Sequence, residues 1–281
     1  MANNSPTHSS PLLLLSSRPW NRTLAIRLSS SLNRSVECIT SPAQLTPDAV
    51  AAIDPQWIVV PHWSHLIPES IWGHWPTVIF HMTDLPYGQG GSPLQNLIER
   101  GHTTTMLTAL RCGPGLDAGD VYLKESLSLH GTAEEIFLRA DGLIAEMIER
   151  LVLEVPDPRP QEGESVVFSR RTPAQSNLSV CPDGDMNAWF DQIRMLDAEG
   201  YPHAWLEVHG MRLEFRRVCQ RSDGLYADVR ITPVSTPHAT PPPPPTSGLR
   251  IVRNRHAWQT NLYRSKLHWV SSQPSAFAGC S

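Results

Sequence analysis

Residues 57–72 read WIVVPHWSHLIPESIW, and residues 78–98 read VIFHMTDLPYGQGGSPLQNLI. Each stretch opens on a short apolar run and continues into a segment rich in proline, glycine, histidine and other polar residues. A short apolar run that is bounded by turn-forming residues is typical of a buried strand. We therefore predict strands at Trp57–Val60 and Val78–Met82, each followed by a loop that carries polar and histidine side chains.

On both sides of these runs, short apolar segments alternate with helix-like segments, a pattern typical of a largely parallel sheet. We predict an α/β fold with a Rossmann-like, mostly parallel sheet and helices on both faces. The other predicted strands are Leu12–Ser17, Val36–Ile39, Met106–Leu110 and Tyr122–Leu129. The predicted helices are Asn21–Leu32, Ser41–Ile53, Ser92–Arg100 and Thr132–Leu153. The second has Thr46-Pro47-Asp48 as its start signal, and the last is opened by a capping box of Thr132 and Glu135.

The proline-rich stretch Pro156–Pro160 cannot continue a helix, so it marks the end of a first domain, residues 1–160. A linker, residues 161–185, leads to a small α+β subdomain, residues 186–231, with a predicted helix and two predicted strands. These three elements are Ala188–Met195, Ala204–Val208 and Arg212–Val218. Residues 232–281 contain the run Pro241–Pro245, and this proline-rich composition predicts a disordered tail.

Charge and composition limit the classes of partner. A formal net charge of −4 and a pI near 6.3 give no basic field, so we do not expect nucleic-acid binding. No apolar run approaches about 18 residues, the length that a membrane-spanning helix requires, so no membrane is expected. The five cysteines are scattered without metal-ligand spacing, which is typical of reduced thiols and predicts a cytoplasmic protein.

Three blocks carry the chemistry: the two stretches quoted above and GLDAGDVYLK at residues 115–124. In this order and spacing they resemble the folate-dependent formyltransferases that act on methionyl-tRNA, glycinamide ribonucleotide or sugar amines. The resemblance covers about residues 12–155. Aligning Pro86 and Pro93 with the two prolines of the family pattern places His81 on its catalytic histidine and Asp117 on its catalytic aspartate. The implied formyl donor is formyltetrahydrofolate.

The chemistry of His81 and Asp117 fits that comparison. Formyl transfer requires an amine to attack a formyl carbon, so one group must handle the amine proton while a donor stabilises the oxyanion. A carboxylate beside a histidine fixes the imidazole and favours its charged form. Both residues also fit ordinary turns, as does Asp120, and of the two aspartates we prefer Asp117 for the catalytic role.

One position departs from the family pattern. Where the family has an oxyanion-stabilising asparagine, two residues before the histidine, this chain has Ile79, and Gln89 replaces the usual arginine of an Arg-Gly turn. Loss of an oxyanion donor typically lowers turnover by a factor of about 100 to 1000. Gln89, Thr83 and Asn96 are the possible replacement donors.

Further candidates are assigned by their position in the pattern. The segment after the Trp57–Val60 strand corresponds to the folate pocket of the family, which gives four cofactor-side residues: Val60, His62, Trp63 and Leu66. The basic pair in SRRTPAQS and a segment that resembles one found in formyltransferase-like proteins of surface-glycan pathways give four substrate-side residues: Arg170, Arg171, Arg194 and Tyr201. The histidines near Trp63 lack a completing carboxylate or cysteine, so no metal site is predicted.

These observations predict transfer of a formyl group from formyltetrahydrofolate to a primary amine of a small substrate, with an amino sugar carried on a nucleotide as the first choice. Two alternatives stay open. A hydrolase on the same fold would pass the formyl group to water, and a degenerate relative would have lost catalysis together with the asparagine. The sequence does not name the acceptor amine or the oligomeric state.

Overall fold

A computed structural model describes residues 10–18 and 21–234. A six-stranded sheet forms its centre, in the strand order β2-β1-β3-β4-β6-β7. Its strands are β1 Leu12–Leu15, β2 Val36–Ile39, β3 Trp57–Val60, β4 Thr77–His81, β6 Thr104–Arg111 and β7 Val121–Ser128. The helices of this part are α1 Asn21–Leu32, α2 Pro47–Ile53, α3 Glu69–Trp72, α4 Pro93–Glu99 and α5 Ala133–Glu154.

The first four strands of the sheet are parallel, whereas β6 and β7 are antiparallel to their neighbours. The predicted α/β fold with a mostly parallel sheet is therefore confirmed. All four side chains of β1 are buried, which explains its uninterrupted leucine run: a strand covered by helices on both faces has no solvent side. Because β1, β3 and β4 run in the same direction, their carboxyl ends lie along one edge.

Two hydrophobic clusters cover the two faces of this sheet. One includes Leu28 of α1 and Phe137 of α5, and the other includes Val50 of α2 and Ile71 of α3. Alternation along β4 divides its side chains between them: Val78 belongs to the first cluster, while Ile79 packs against the second. The face of the sheet on which a side chain lies therefore alternates from one residue of the strand to the next.

The α5 prediction is confirmed, including the capping box in which Thr132 and Glu135 satisfy each other's backbone N–H groups. In the predicted segment Ser41–Ile53, helix α2 begins at the predicted start signal Thr46-Pro47-Asp48, whereas the residues before that signal form a separate 3₁₀ turn, Pro42–Gln44. The physical reason is Pro47, which pushes Thr46 to an extended conformation, where its side chain caps α2.

The chain beyond Pro160 begins with β8, Val166–Phe168, which pairs in parallel with β5, Tyr87–Gly90. Two 3₁₀ turns follow, and then α6, Met186–Arg194. A three-stranded antiparallel sheet in the order β11-β10-β9 completes the described part. Its strands are β9 Ala204–Val208, β10 Met211–Arg221 and β11 Gly224–Pro233.

Sequence reasoning located β9 and most of β10 but missed β11, in which Thr232 and Pro233 still pair with β10. The domain limits at residues 160, 185 and 231 stay predictions. The predicted disordered tail, from residue 235 onwards, lies outside the described residues. Within the part of the chain that the structure describes, no helix is long and apolar enough to cross a membrane.

Candidate functional site

His81 and Asp117 lie together at the carboxyl edge of the sheet. His81 is the last residue of β4, and Asp117 lies in the loop between β6, the neighbour of β4, and β7. The Nδ1 atom of His81 is 3.6 Å from Oδ2 of Asp117, and both side chains are about nine-tenths buried. The loop therefore brings the two predicted catalytic residues within reach of an ion pair.

The other ring nitrogen of His81 faces a backbone acceptor. Nε2 is 2.8 Å from the carbonyl oxygen of Gly88, which also accepts from the hydroxyl group of Thr83 at 3.2 Å. A neutral imidazole that donates from Nε2 keeps its lone pair on Nδ1. The ring is thus held in the tautomer in which Nδ1, beside Asp117, is free to accept a proton.

Asp117 has a left-handed backbone conformation, with φ of +51°. Its Oδ2 atom accepts from the backbone N–H of Gly90 at 2.9 Å, so the carboxylate points back at the β5 loop and at His81.

Nearby, burial raises the pKa of Cys112 to about 11, with a smaller contribution from the charge of Asp117. The Cys112 thiol therefore stays protonated at neutral pH and does not compete as a nucleophile.

Ile79 lies on the same face of β4 as His81, two residues earlier. It packs against the cluster that contains Val60, and Trp63 packs against that cluster as well. The position at which the family pattern has an asparagine is thus part of an apolar wall beside the imidazole. An isoleucine side chain has no hydrogen-bond donor, so an oxyanion donor must come from another residue.

The positions of three predicted cofactor-side residues are compatible with an aromatic ligand. Val60 is buried in the wall, Leu66 is 86% exposed, and the indole Nε1 of Trp63 is buried with no acceptor among the described residues. A folate pterin ring carries ring nitrogens and a carbonyl oxygen that can accept from such an N–H group. An apolar surface with an unmet donor therefore fits the family's formyl donor.

His62 is oriented differently from its neighbours and forms a second histidine–carboxylate pair. Its Nε2 atom is 3.0 Å from Oδ1 of Asp141 on α5, and both side chains are largely buried. Asn21, at the start of α1, donates to the same oxygen at 3.3 Å and accepts from the hydroxyl group of Ser16. The chain reverses at His62, where φ is +47°, and this places the ring on the α5 side of the sheet.

Tyr201 lies beside this second pair. Its ring stacks on Phe137 at a centroid distance of 5.3 Å, and Phe137 also contacts the His62 ring edge-on at 5.5 Å. The guanidinium group of Arg18 lies 4.7 Å from the centre of the Tyr201 ring. Burial raises the pKa of the Tyr201 phenol, which is therefore protonated at neutral pH. The structure thus brings together a predicted substrate-side residue and a predicted cofactor-side residue.

The three possible replacement donors differ in the carbonyl oxygens to which they already donate. Gln89 lies against Asp117 and donates to its carbonyl oxygen at 3.2 Å. The hydroxyl group of Thr83 points at Gly88 O, as described above. Asn96 uses its amide to bind three carbonyl groups, those of Gly91, Ser92 and Ser169. Of the three, Gln89 and Thr83 lie next to the histidine–aspartate pair, whereas the amide of Asn96 anchors the start of α4.

The predicted substrate-side arginines are mostly engaged inside the protein. Arg171 pairs with Glu99 at 2.8 Å and also donates to Gln175 O. Arg194 pairs with Asp191 at 2.6 Å and donates to two carbonyl groups before α5. Arg170 is exposed and follows β8, so it is the arginine of this group that is most open to a ligand. The structure does not bring Arg194 to His81 through any described contact.

Sequence reasoning missed several residues of these sites. Asp141 stands inside an amphipathic helix, and Asn21 opens another, so both looked like ordinary helix residues. Gln161, which binds the Asp117 loop, follows the proline-rich stretch that was interpreted as a domain end. The available signal was weak: Asp141 falls within the predicted α5, near Ala140 and Ile144 on its buried face. No cluster of three or more metal-ligating side chains occurs in residues 10–18 and 21–234.

The parallel sheet and the histidine–aspartate pair at its carboxyl edge define a Rossmann-like α/β domain with a site suited to acyl-group transfer. Residues 173–232 match the family described as methionyl-tRNA formyltransferase, C-terminal domain. A solved methionyl-tRNA formyltransferase from Clostridium thermocellum is 42% identical, with a TM-score of 0.77 over 80% of this chain and 100% of that one. The chain therefore belongs to the folate-dependent formyltransferase family.

Other relatives are more distant. A methionyl-tRNA formyltransferase of Rickettsia bellii is 30% identical over 152 residues, 49% of this chain and 50% of the relative. The chain thus spans about half the length of the curated relatives it matches. A solved sugar N-formyltransferase from a Shewanella species has a TM-score of 0.60 at 15% identity, covering 75% of this chain and 98% of that one. That likeness shows the fold alone.

Proposed function

We propose that this protein transfers the formyl group of formyltetrahydrofolate to a primary amine of a small substrate. The observation that carries the proposal is the buried pair of His81 and Asp117 at the carboxyl edge of the sheet, in a chain of the formyltransferase family. The bound folate supplies an electrophilic formyl carbon. All remaining steps depend on side chains of this chain.

His81 moves the proton. As the amine attacks, it must lose a proton, and Nδ1 is the ring atom that accepts because Nε2 is held by Gly88 O. The resulting imidazolium lies 3.6 Å from the Asp117 carboxylate, which stabilises its charge. The proton can then pass to the leaving nitrogen of the donor. Gln89 and Thr83 are the nearest candidates for an oxyanion donor, and each would have to release a carbonyl acceptor, Asp117 O or Gly88 O, to bind the oxyanion.

Val60, Trp63 and Leu66 form the wall for the folate ring, since they lie on the Ile79 face of the sheet or on the loop that follows it. His62 and Tyr201 belong to the opposite side, where Asp141 can bind a cationic or hydroxyl-bearing acceptor. This division supports a donor pocket and an acceptor pocket that meet at the strand ends of β3 and β4, where parallel α/β sheets bind ligands.

An amino sugar carried on a nucleotide is the acceptor that we propose first. Supporting it, all 27 acidic residues precede residue 235, whereas five of the 23 basic residues follow it, so the described part is strongly acidic. An acidic surface is poorly suited to the phosphate backbone of a tRNA. Exposed Arg170 would suit the phosphate groups of a nucleotide. Methionyl-tRNA is the second candidate, favoured by the names of the matched relatives.

The test is incubation of the full chain with formyltetrahydrofolate and one acceptor at a time, followed by mass spectrometry. The acceptors are a panel of amino-sugar nucleotides, methionyl-tRNA and buffer alone. A formylated amino sugar supports the proposal, and formylation of methionyl-tRNA alone supports the second candidate. Formate release without acceptor identifies a hydrolase. His81→Ala should abolish turnover, while His130→Ala, at an exposed histidine, serves as the matched control.

Absence of both folate binding and turnover would identify a degenerate relative. Calorimetric titration with a stable analogue of formyltetrahydrofolate separates that outcome from the choice of a wrong acceptor. If only the acceptor is wrong, the analogue still binds. Trp63→Ala should then weaken the affinity for the analogue, because the indole forms part of the folate wall and its N–H group has no acceptor among the described residues.

A further inference from the structure

A segment beyond the proline-rich stretch runs across both catalytic loops, and we name residues 159–168 the strap. At its start, Arg159 and Val121 exchange two backbone hydrogen bonds of 2.7 and 2.9 Å. At its end, β8 pairs with β5, which contains Gly88, the residue whose carbonyl oxygen holds His81. The strap therefore touches the loop of His81 and the loop of Asp117, although the sequence assigns most of it to a linker.

Gln161 is the side chain of the strap that binds the Asp117 loop. Its Nε2 atom donates to the carbonyl oxygens of Asp117 and Gly119, both at 2.8 Å. An amide nitrogen has two hydrogens, so both are used on this loop. Gly119 has no room for a side chain, since a Cβ atom there would lie 1.9 Å from Arg111 O. Gln161 thus bridges two carbonyl groups of a tightly packed turn.

The turn needs such support because of its backbone. Asp117 has φ of +51°, a region that side-chain-bearing residues adopt at a cost. Its carbonyl oxygen accepts from Gln161 and also from Gln89 at 3.2 Å. Gln89 is in turn linked to Gln161 Oε1 at 3.3 Å and to the Ser165 hydroxyl at 2.7 Å. Two glutamines and a serine therefore fix the backbone of the catalytic aspartate.

The carboxylate of Asp117 is fixed from the other end of the strap. Gly90 donates to Oδ2, and Gly90 is held by the pairing of β5 with β8, where it lies opposite Phe168. A shift of the strap would move both the backbone and the carboxylate contacts of Asp117. Catalysis is sensitive to displacements of about 1 Å, since they can cost up to about 100-fold in rate.

We propose that Gln161 is a positioning residue that holds the Asp117 carboxylate against Nδ1 of His81. The proposal rests on formyl transfer as the function of the pair. It assigns to the strap a role in catalysis without contact to substrate, since Gln161 contacts the Asp117 loop directly and also through Gln89.

The test compares Gln161→Glu and Gln161→Ala with Glu162→Gln as the matched control. Glu162 is the exposed neighbour in the strap. Gln161→Glu keeps the size of the side chain but replaces its two N–H donors with an oxygen that faces two carbonyl groups. We expect kcat to fall about 10-fold in both Gln161 variants, within the range for a displaced catalytic group, with the KM for formyltetrahydrofolate unchanged. Glu162→Gln should match the parent.

A double-mutant cycle distinguishes positioning from general destabilisation. If Gln161 acts through Asp117, the effect of Gln161→Glu on kcat should vanish when Asp117 is already replaced by asparagine. Equal losses in both backgrounds overturn the proposal. So does a lower melting temperature with an unchanged kcat, because that result identifies a merely structural contact.

A spectroscopic arm keeps the test independent of turnover. In ¹⁵N-histidine NMR spectra, the ring signals of His81, assigned by their loss in His81→Ala, report which nitrogen carries the proton. Gln161→Glu should change these signals, whereas Glu162→Gln should not. An unchanged His81 spectrum in Gln161→Glu overturns the proposal. If Gln161→Glu changes the His81 signals but the parent transfers no formyl group, the proposed function fails while the positioning role holds.

Discussion

Replacement of Ile79 by asparagine is the sharpest perturbation that the structure offers. Ile79 is two residues before His81 and on the same face of β4, so an amide placed there lies beside the imidazole. If formyl transfer is limited by the missing oxyanion donor, Ile79→Asn should raise kcat by up to about 100- to 1000-fold. A gain of that size corresponds to about 3 to 4 kcal/mol of transition-state stabilisation.

Ile79→Asn should lower the folding stability of the protein only modestly. Burying an isoleucine side chain completely stabilises a protein by about 1.5 to 3 kcal/mol, and Ile79 is only partly buried, so about 1 to 2 kcal/mol should be lost. For a protein of this size, that loss lowers Tm by roughly 2 to 8 °C. Since domains typically have about 5 to 15 kcal/mol of stability, the variant should stay folded at 25 °C.

The matched control is Ile79→Leu, which is close to asparagine in shape but has no donor. Steady-state experiments with the acceptor identified above would give kcat for both variants, and calorimetry would give their folate affinity. The reasoning predicts a rise for Ile79→Asn alone, with nearly unchanged affinity. If both variants have the same kcat while they are folded and bind the folate analogue, another group already supplies the donor, and Gln89 and Thr83 become the residues to replace.

Three further outcomes follow from individual contacts. Arg194→Met should lower the free energy of unfolding by about 2 to 4 kcal/mol in denaturant titrations, because it leaves the carbonyl groups of Leu129 and Gly131 without their donor. Asp191, which is 32% exposed, can be solvated instead. Equal stability would contradict the assigned contacts. Since the pKa of Cys112 is about 11, only about one thiol in 1000 is ionised at pH 8, and peptide mapping after brief alkylation should show labelling at exposed Cys219 well before Cys112. Burial lowers the pKa of His203 in the folded protein, so the stability of the fold should fall as the pH drops below about 6.5, the pKa of an unfolded histidine. His203→Gln should flatten the dependence of Tm on pH in melting curves. An unchanged dependence would exclude His203 as its source.

The fold and the first histidine–carboxylate pair were accessible from the sequence because both depend on local signals. Continuous apolar runs mark the strands of a parallel sheet, and His81 follows directly from the end of one of them. Strand pairing alone would not bring Asp117 there, because β6 is antiparallel to β4 and its last residue, Arg111, lies opposite Val78. The meeting of His81 and Asp117 was predicted from the local motif around each residue. The motif resemblance then indicated which of the two aspartates in that loop to choose.

The second pair was not accessible in the same way. His62 and Asp141 are separated by 79 positions, and their meeting depends on where α5 crosses the sheet and on the left-handed turn at His62. Neither feature has a local signature, because a histidine after a proline and an aspartate within an amphipathic helix occur in many settings. The same limit applies to β11, whose alternation is weakened by its largely exposed position at the edge of a sheet.

The strap begins in the proline-rich stretch that the sequence analysis interpreted as a domain edge, and it contacts the loop of Asp117. Proline ends α5 and forces the chain to run extended, which is the signature of a domain edge. An extended chain, however, also presents unpaired backbone groups and side chains at regular intervals, and here they pair with Val121 and with β5, beside the loops of Asp117 and His81. The stop signal for the helix is therefore also the start of the segment that fixes Asp117. Because Gln161 comes directly after the last proline of that stretch, lengthening the chain between Pro160 and Gln161 by one residue should act like Gln161→Ala, and insertion after Gly163, short of the β8 pairing, should be milder.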